Sequence, residues 1–299
     1  MVSDSEILCV GEVLWDALPA GLFLGGAPFN VACHLRAAGW RVTMVSRVGD
    51  DRLGEEVSRR VPWYGVGVDL LQVDPQLPTG FVRATLDDAG NAEYEILEPA
   101  AWDAIAVDDE LVRRAEAARA IVYGTVAQRG PTTRATIEQL WQSDALMVFD
   151  ANLRPPYDAR DVVERSLRHA DVVKVTEREL GRLVQWFGLP VGLRDSAAAV
   201  AERFDCETVC VTRGRSGAAL WRQGQWTEEP GYEVEVRDTV GAGDAFLALL
   251  LAGLLDGADD RVTLRHANLI GAYVATQLGA VPLDQPSAVA PPMPAGRRR

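Results

Sequence analysis

The segment DTVGAGDAF, residues 238–246, places a carboxylate directly after a glycine-rich turn. The preceding GYEVEVR alternates charged and apolar residues, which predicts a strand, and the following FLALLLAGLL has the composition of a buried helix. The first backbone N–H groups of a helix have no intrahelical acceptor and point outward at the positive end of the helix dipole. We therefore expect an anion site at this turn, with Asp244 in the first helical turn beside it.

A carboxylate beside an anion site has two interpretations. In phosphoryl transfer, the amides of Gly241, Ala242 and Gly243 would bind charge on the phosphoryl oxygens. Asp244 would then accept the proton of the attacking hydroxyl. Alternatively, Asp244 only stabilises the positive end of the helix and the glycines only form a turn. The local spacing does not decide between the two.

Composition restricts the possible partners. A net charge of −13 over 299 residues disfavours nucleic acid and anionic membranes. The chain has one lysine, Lys174, and no GxxxxGK[ST] pattern, which excludes a P-loop. Phosphate charge would have to be met by backbone N–H groups, arginine and a metal ion. Lys174 itself is predicted to be structural.

The cysteines and the start of the chain bear on where the protein is located. The four cysteines lack metal-ligand or disulfide spacing and are interpreted as buried thiols. The acidic start MVSDSE leads directly into a strand pattern, and no apolar run reaches membrane length. These features predict a cytoplasmic protein.

From residue 108 onward, strand and helix patterns alternate along the chain. This rhythm predicts an α/β fold with a mostly parallel central sheet and helices on both faces. Ligands of such sheets bind at the carboxyl ends of the strands. Six residues that could contact a ligand fall at or near such ends: Asp150, Asn152, Arg154, Glu179, Arg213 and Gly214.

The first third of the chain offers a second group of candidates. Asp16 is either a turn residue before Pro19 or an acceptor for sugar hydroxyls. Gly25 and Gly26 allow a backbone to approach a ligand closely. Asn30 lies near a helix start, where it could face a ligand, although the residues alone favour a capping role. Further on, residues 79–98 read as a hairpin around DDAGN.

Several of these segments resemble the PfkB, or ribokinase-like, carbohydrate kinases. DTVGAGD meets every fixed position of the family's second motif, DTxGAGD. GGAPFNVACHLRAAG with SRVGDDRLGEEV is close to the first motif, and VTRGRSGA matches VTxGxxG. FDANLRP resembles the FDxNxRP segment of fructokinase-like members. VTERE departs from the family's NxxE by having Thr176 at the Asn position.

The resemblance implies a single ribokinase-like domain over residues 1–299, with a small β-sheet lid. The lid is expected from about residues 12–25 and 64–99, and a flexible tail from about 285–299. Lids of this family often pair between subunits, so a homodimer is expected.

The same resemblance implies catalytic and sugar-binding roles for individual residues. Asp244 is implied as the catalytic base, and residues 241–243 as the anion hole. The sugar would be bound by Asp16, Gly25, Gly26 and Asn30. Asn152 and Arg154 would lie near the transferred phosphate, or else form an ordinary turn and surface pair. Arg83, Phe81 and Tyr94 of the hairpin either face the substrate or serve solvation and packing.

The nucleotide and metal assignments are also implied by the resemblance. Glu179 would act on Mg²⁺ through water. The residues expected to contact ATP are Thr212, Arg213, Gly214, Gly217, Asn268 and Gly271, although Asn268 could equally be a satisfied helix residue. Whether the protein also requires a monovalent cation such as K⁺ is left open.

The expected activity is ATP-dependent phosphorylation of a primary sugar hydroxyl, with fructose as the preferred substrate. Ribose, 2-keto-3-deoxygluconate and nucleosides are alternative substrates. A sugar- or nucleotide-binding regulator without catalysis is a further alternative. The intact GAGD segment favours an enzyme, because a binding protein needs no base.

Overall fold

The computed structural model describes residues 6–18, 21–86 and 92–282. Thirteen strands in this part of the chain are β1 Glu6–Val10, β2 Leu14–Leu18, β3 Gly21–Gly25, β4 Arg41–Gly49, β5 Leu71–Asp74, β6 Gly80–Leu86, β7 Ala92–Ile96, β8 Ala120–Gly124, β9 Leu146–Asp150, β10 Val172–Thr176, β11 Thr208–Thr212, β12 Ala218–Arg222 and β13 Gln225–Glu229. Nine α-helices are α1 Ala27–Ala37, α2 Arg52–Arg60, α3 Asp109–Ala117, α4 Pro131–Leu140, α5 Arg160–Arg168, α6 Glu177–Phe187, α7 Leu193–Phe204, α8 Ala242–Leu255 and α9 Asp260–Ala275.

A nine-stranded sheet has the order β13-β12-β11-β10-β9-β8-β1-β4-β5. Seven neighbouring strands, from β11 to β5, pair in parallel, and the β12–β13 hairpin adds antiparallel strands at one edge. The predicted mostly parallel sheet is confirmed. No helix among the described residues is long and apolar enough to cross a bilayer.

The two faces of this sheet bury separate hydrophobic cores, as alternation along β1 shows. Leu8 and Val10 point into the core under helices α3 to α7. Ile7 and Cys9 point into the core under α1, α8 and α9. All four side chains are fully buried. A strand that is apolar on both faces is typical of parallel sheets covered by helices.

A second, four-stranded sheet has the order β3-β2-β6-β7. It contains the predicted hairpin, as β6 and β7. The lid boundaries need one correction, because β5 at residues 71–74 pairs with β4 in the large sheet. This strand returns from α2 parallel to β4, which is the ordinary outcome of a strand–helix–strand unit. The predicted hairpin turn at residues 87–91, the Tyr94 side chain and the predicted tail at 285–299 lie outside the described residues.

The prediction of a strand at GYEVEVR is wrong. Residues 231–237 form no strand, and Val236 is 58% exposed. β13 is the edge strand of the sheet and ends at Glu229, and residues 231–237 do not add a further strand to it. It runs instead to the end of α9, where the Arg237 N–H donates to the Ala275 carbonyl at 2.9 Å.

Helices α1 and α8 both begin at a glycine and both border the site described below. Gly26 has φ 111° and Gly241 has φ 78°, and neither helix start carries a side-chain cap. Such φ values are accessible mainly to glycine. Without a capping side chain, the first-turn N–H groups of both helices stay open to another acceptor.

Candidate active site

A cavity of about 450 Å³ lies where the carboxyl ends of the parallel strands meet the small sheet. Asp16, Gly26 and Asn30 line it from the first part of the chain, and Gly241, Gly243 and Asp244 line it from the α8 start. The two groups of residues predicted from separate segments therefore share one cavity. Asn152, Arg154 and Glu179 also line it, as their strand-end positions predicted.

The start of α8 is held by loop contacts. The Asp238 carboxylate accepts hydrogen bonds from the N–H groups of Val240 at 3.0 Å and Gly279 at 3.1 Å. A β-carbon on Gly241 would lie 2.5 Å from Ala280, so only glycine fits this contact. Of the three predicted anion-binding amides, that of Ala242 donates to the Thr239 carbonyl at 3.3 Å.

Asn30 donates from Nδ2 to Oδ2 of Asp244 at 2.8 Å. The predicted capping role for Asn30 is wrong, because α1 begins at Ala27 and Gly26 is its cap. Asn30 therefore lies in the second turn, facing α8. Its Oδ1 is buried and has no hydrogen-bond partner among the described residues. An unsatisfied buried amide oxygen in a cavity wall is a position for a donor from a ligand or a water.

The two glycines before α1 allow close approach of this chain's own groups. A β-carbon on Gly25 would collide with Oδ2 of Asp16, and one on Gly26 would collide with the carbonyl of Glu12. Burial, with the charges of Asp244 and Asp238, raises the pKa of Asp16 to about 6. The lack of a side chain at Gly25 thus leaves the space that the Asp16 carboxylate occupies.

Glu12 is a cavity residue that sequence reasoning missed. It follows the carboxyl end of β1 and is 5% exposed, and its Oε2 has no hydrogen-bond partner in the described chain. Burial, together with the Asp244 charge, raises the pKa of Glu12 to about 7. A glutamate two residues after the end of an apolar strand, at the edge of the sheet where ligands bind, was the signal that could have identified it.

Lys174 also lines the cavity, which its predicted structural role did not include. Its Nζ lies 3.0 and 3.1 Å from the two carboxylate oxygens of Asp150. Both side chains are buried, and their Cα atoms pair in register between β9 and β10. Burial raises the pKa of Asp150 to about 6, although Lys174 opposes that shift.

Glu179 ties the start of α6 to the neighbouring loop. Its Oε1 accepts from the Leu153 N–H at 2.8 Å and its Oε2 from the Thr176 N–H at 2.7 Å, while Thr176 caps the helix. The bond to Leu153 holds the loop that carries Asn152, at φ 35°, and the exposed Arg154.

The site could hold Mg²⁺ only together with a bound ligand whose phosphates coordinate the ion. No cluster of three or more potential metal ligands occurs among the described His, Cys, Asp and Glu residues. Mg²⁺ is commonly bound by one or two carboxylates, several waters and substrate phosphates. Glu179 lines the cavity, and lone pairs remain on its oxygens for a water of such an ion.

The hairpin residue Arg83 points away from the cavity. Along β6, Val82 lines the cavity, and Arg83 lies on the opposite face because strand side chains alternate. Arg83 Nη2 lies 2.6 Å from Glu95 Oε2, and both side chains are more than half exposed. Phe81 packs against the buried core under α1 and α8. Within this chain, solvation and packing account for both residues.

The residues predicted for the nucleotide do not line the cavity and lie beside it. Thr212 ends β11, and Arg213 forms an ion pair with Glu228 at 3.1 Å. Gly214 has φ 55°, and Gly217 has φ 88° where it crosses the backbone at 229–231. Both values favour glycine for backbone reasons alone.

Two further nucleotide candidates have structural contacts in α9. Asn268 is buried and donates from Nδ2 to the carbonyls of Glu229 and Pro230, each at 3.2 Å. It is therefore a satisfied helix residue, as the second interpretation had it. Gly271 packs against the Ala242 carbonyl in the first turn of α8.

Comparison with known proteins shows which proteins this chain resembles. The model of the pfkB family carbohydrate kinases matches residues 11–287. A fructokinase of Klebsiella pneumoniae is 30% identical over 297 residues, covering 93% of this chain and 95% of that protein. An uncharacterized sugar kinase of Pyrococcus horikoshii, solved in complex with ATP, has a TM-score of 0.78 at 27% identity, covering 92% and 94% of the two chains. The apo fructokinase of Vibrio cholerae O395 has a TM-score of 0.78 at 26% identity, covering 93% and 100%.

Proposed function

This chain belongs to the pfkB family of carbohydrate kinases, and on that premise we propose that it transfers the γ-phosphate of ATP to a primary hydroxyl of fructose, giving fructose 6-phosphate. The Asn30–Asp244 hydrogen bond supports this proposal most directly, because it joins the two motif segments, 214 residues apart, in one cavity. A shared cavity is what a single reaction between sugar and phosphate requires.

Asp244 acts as the base of the proposed reaction. It accepts the proton of the sugar hydroxyl while that oxygen attacks the γ-phosphorus, and the bond to ADP breaks. The N–H groups of Gly241 and Gly243 bind the phosphoryl oxygens, and that of Ala242, which donates to the Thr239 carbonyl, would have to turn from it to join them. Asn30 holds the Asp244 carboxylate through Oδ2, so that Oδ1 is left for the hydroxyl.

The sugar lies against Asp16, Asn30 and the small sheet in this proposal. Leu14, Val82 and Ile96 of that sheet line the cavity beside Asp16, so the sheet serves as the lid that excludes water. No aromatic side chain is among the described residues that line the cavity, whereas a nucleoside base favours a stacking partner. Fructose is favoured within the sugars because relatives named fructokinase cover most of the chain.

ATP is the phosphoryl donor in this proposal, with its phosphates toward α8 and its adenosine toward the β11–β12 turn and α9. The sugar kinase from Pyrococcus horikoshii, solved with ATP, has the same fold. Mg²⁺ would be held by the phosphates and, through water, by Glu179, and it would neutralise phosphate charge. Arg154 at the cavity rim would add positive charge.

The proposal treats residues 1–299 as one kinase domain and extends to a homodimer formed through the lid. The outward edge of the small sheet exposes Leu22 at 44% in β3, an edge strand that a second copy could cover. Light scattering on the purified chain checks this: a dimer mass is expected, and a Leu22→Glu variant should run as a monomer. A monomer mass for the unaltered protein would contradict the dimer alone.

The activity is tested by coupling ADP release to a panel containing fructose, ribose, 2-keto-3-deoxygluconate and adenosine. Fructose is expected to give the highest kcat/KM. Asp244→Asn should reduce kcat by about two to four orders of magnitude, because general base catalysis contributes that much. Fructose binding, measured by calorimetry, should persist in this variant.

Asp256→Asn is the matched control, since Asp256 is exposed at the other end of α8. It should leave turnover unchanged. Turnover of Asp244→Asn close to that of the unaltered protein would remove the base assignment. Absence of ADP release with every acceptor would favour the non-catalytic binding protein.

A further inference from the structure

The chain's only lysine is held at one fixed point of the cavity wall. Lys174 is 4% exposed, and its Nζ contacts both oxygens of Asp150 at 3.0 and 3.1 Å. The two residues are register partners at the carboxyl ends of adjacent parallel strands. The ammonium position is thus fixed by two packed strands and a two-oxygen acceptor.

Lys174 remains a cation at neutral pH. Burial lowers the pKa of Lys174, but the carboxylates of Asp150, Glu179 and Asp244 outweigh burial and raise it above its ordinary value. Most other charged groups that line the cavity are carboxylates: Glu12, Asp16, Glu179 and Asp244. Phosphate entering such a cavity needs a fixed positive charge, and Lys174 and Arg154 supply the cations of its described lining.

One donor of the ammonium is not used by Asp150. An ammonium has three N–H donors, and the two oxygens of Asp150 take two. A β-carbon on Gly243 would lie 3.2 Å from Nζ, so the ammonium lies beside the first turn of α8. Gly243 precedes Asp244, and both line the cavity with Lys174. The third donor is therefore available next to Gly243 at the start of α8.

A largely buried ion pair elsewhere in the chain shows a different arrangement. Arg114 donates to both oxygens of Glu6 at 2.7 Å and to Thr43 at 3.0 Å, at the start of β1 and away from the cavity. In that pair, both the carboxylate and the cation are tied to protein groups. Lys174 differs because its remaining donor borders the cavity.

We propose that Lys174 is a catalytic residue of the phosphoryl transfer, binding an oxygen of the transferring phosphoryl group together with the Gly243 N–H. This proposal rests on the proposed kinase function. The phosphorus–oxygen bond to ADP breaks with its electrons going to ADP, the sugar oxygen bonds to phosphorus, and the hydroxyl proton goes to Asp244. Lys174 keeps its proton throughout and stabilises the charge on the phosphoryl oxygens. Asp150 is the positioning residue that holds the ammonium.

The test separates this role from mere neutralisation of Asp150. Lys174→Met removes the ammonium at similar length, and Asp150→Asn combined with Lys174→Met also removes the buried carboxylate it would leave unpaired. If Lys174 binds the phosphoryl group, both variants should lose about a hundredfold or more in kcat. The affinity for fructose, measured by calorimetry, should stay within about threefold of the unaltered protein.

A binding measurement provides a readout that does not depend on turnover. The affinity for inorganic tripolyphosphate with Mg²⁺ should fall about tenfold in the double variant, since one charge-assisted hydrogen bond is lost. The control is Glu6→Gln combined with Arg114→Met, which removes the Arg114–Glu6 pair and should change neither kcat nor tripolyphosphate affinity.

Recovery of kcat to within threefold by the double variant would show that Lys174 only neutralises Asp150, and would overturn the proposal. Unchanged tripolyphosphate affinity in the double variant would also overturn it. If the unaltered protein released no ADP with any sugar, the proposed function would fail, and the tripolyphosphate measurement would still decide whether Lys174 binds phosphate.

Discussion

At the scale of single residues, the site is a set of buried polar groups whose oxygens are incompletely satisfied. Asn30 Oδ1 and Glu12 Oε2 are both buried without a hydrogen-bond partner among the described residues. Leaving such atoms unpaired destabilises the folded protein by about 1–3 kcal/mol each. These unpaired oxygens therefore lower the stability of the folded protein, and a bound sugar or water would restore part of it by donating hydrogen bonds to them.

Glu12 makes stability depend on pH in a defined direction. Burial and the Asp244 charge raise the pKa of Glu12 to about 7 from the ordinary 4.5, so the folded state binds this proton more tightly than the unfolded state. Its contribution to stability is complete below about pH 4.5 and is lost as pH rises toward 7. Glu12→Gln has no ionisable group. We expect this variant to be more stable than the unaltered protein by about 1–3 kcal/mol at pH 8, and by far less at pH 5.

Urea unfolding at pH 5 and pH 8 measures this difference. Glu202→Gln, an exposed position on α7, is the matched control and should leave the pH dependence unchanged. Equal stability differences for Glu12→Gln at the two pH values would show that Glu12 does not titrate in this range.

At the scale of elements, the two helices that begin at a glycine position the groups proposed to react. α1 carries Asn30 and α8 carries Asp244, and the helices pack against each other through the core that contains Phe29 and Leu247. The strand predicted before α8 is absent, and a loop tied down by Asp238 takes its place. The proposed anion site thus depends on the helix start and its glycine, and not on a preceding strand.

Two glycine variants of α8 separate backbone strain from site geometry. Gly241 and Gly257 flank the helix with φ 78° and φ 66°. Alanine at Gly257 should cost about 1–2 kcal/mol of stability, since this residue adopts left-handed backbone. Alanine at Gly241 should cost more, because the collision with Ala280 adds to the same backbone strain. Only Gly241→Ala should also reduce kcat, because its β-carbon would press on Ala280 and displace the α8 start, whereas Gly257 has open space.

The readouts are thermal unfolding and ADP release. The kcat of Gly257→Ala should match that of the unaltered protein. If Gly241→Ala kept full kcat, or if both variants lost kcat equally, the placement of the α8 start as the anion site would be contradicted.

At the scale of the whole molecule, one sheet joins both hydrophobic cores. Each buried strand contributes alternate side chains to the two faces, so neither core can separate without breaking the same strands. The small sheet is also anchored, because Trp15 is 1% exposed and donates from Nε1 to the Leu53 carbonyl at 3.1 Å. These contacts support one structural unit.

We expect a single cooperative unfolding transition. In scanning calorimetry, the van't Hoff enthalpy should agree with the calorimetric enthalpy. Trp15→Ala should lower stability by about 3–5 kcal/mol, since it removes a buried aromatic side chain. Two resolved transitions in the unaltered protein would argue for independent units, with the four-stranded sheet as the first candidate to unfold.

The amino-acid sequence by itself determined the local features of this protein. Periodicity predicted the α/β order, the hairpin and the α8 helix, because these depend on hydrogen bonds and side-chain spacing within a few residues. Tertiary structure alone decided that Asn30 bonds Asp244 instead of capping α1, that Arg83 faces away from the cavity, and that Lys174 borders it. Such contacts join residues far apart in the chain, and they depend on how the strands and helices pack together.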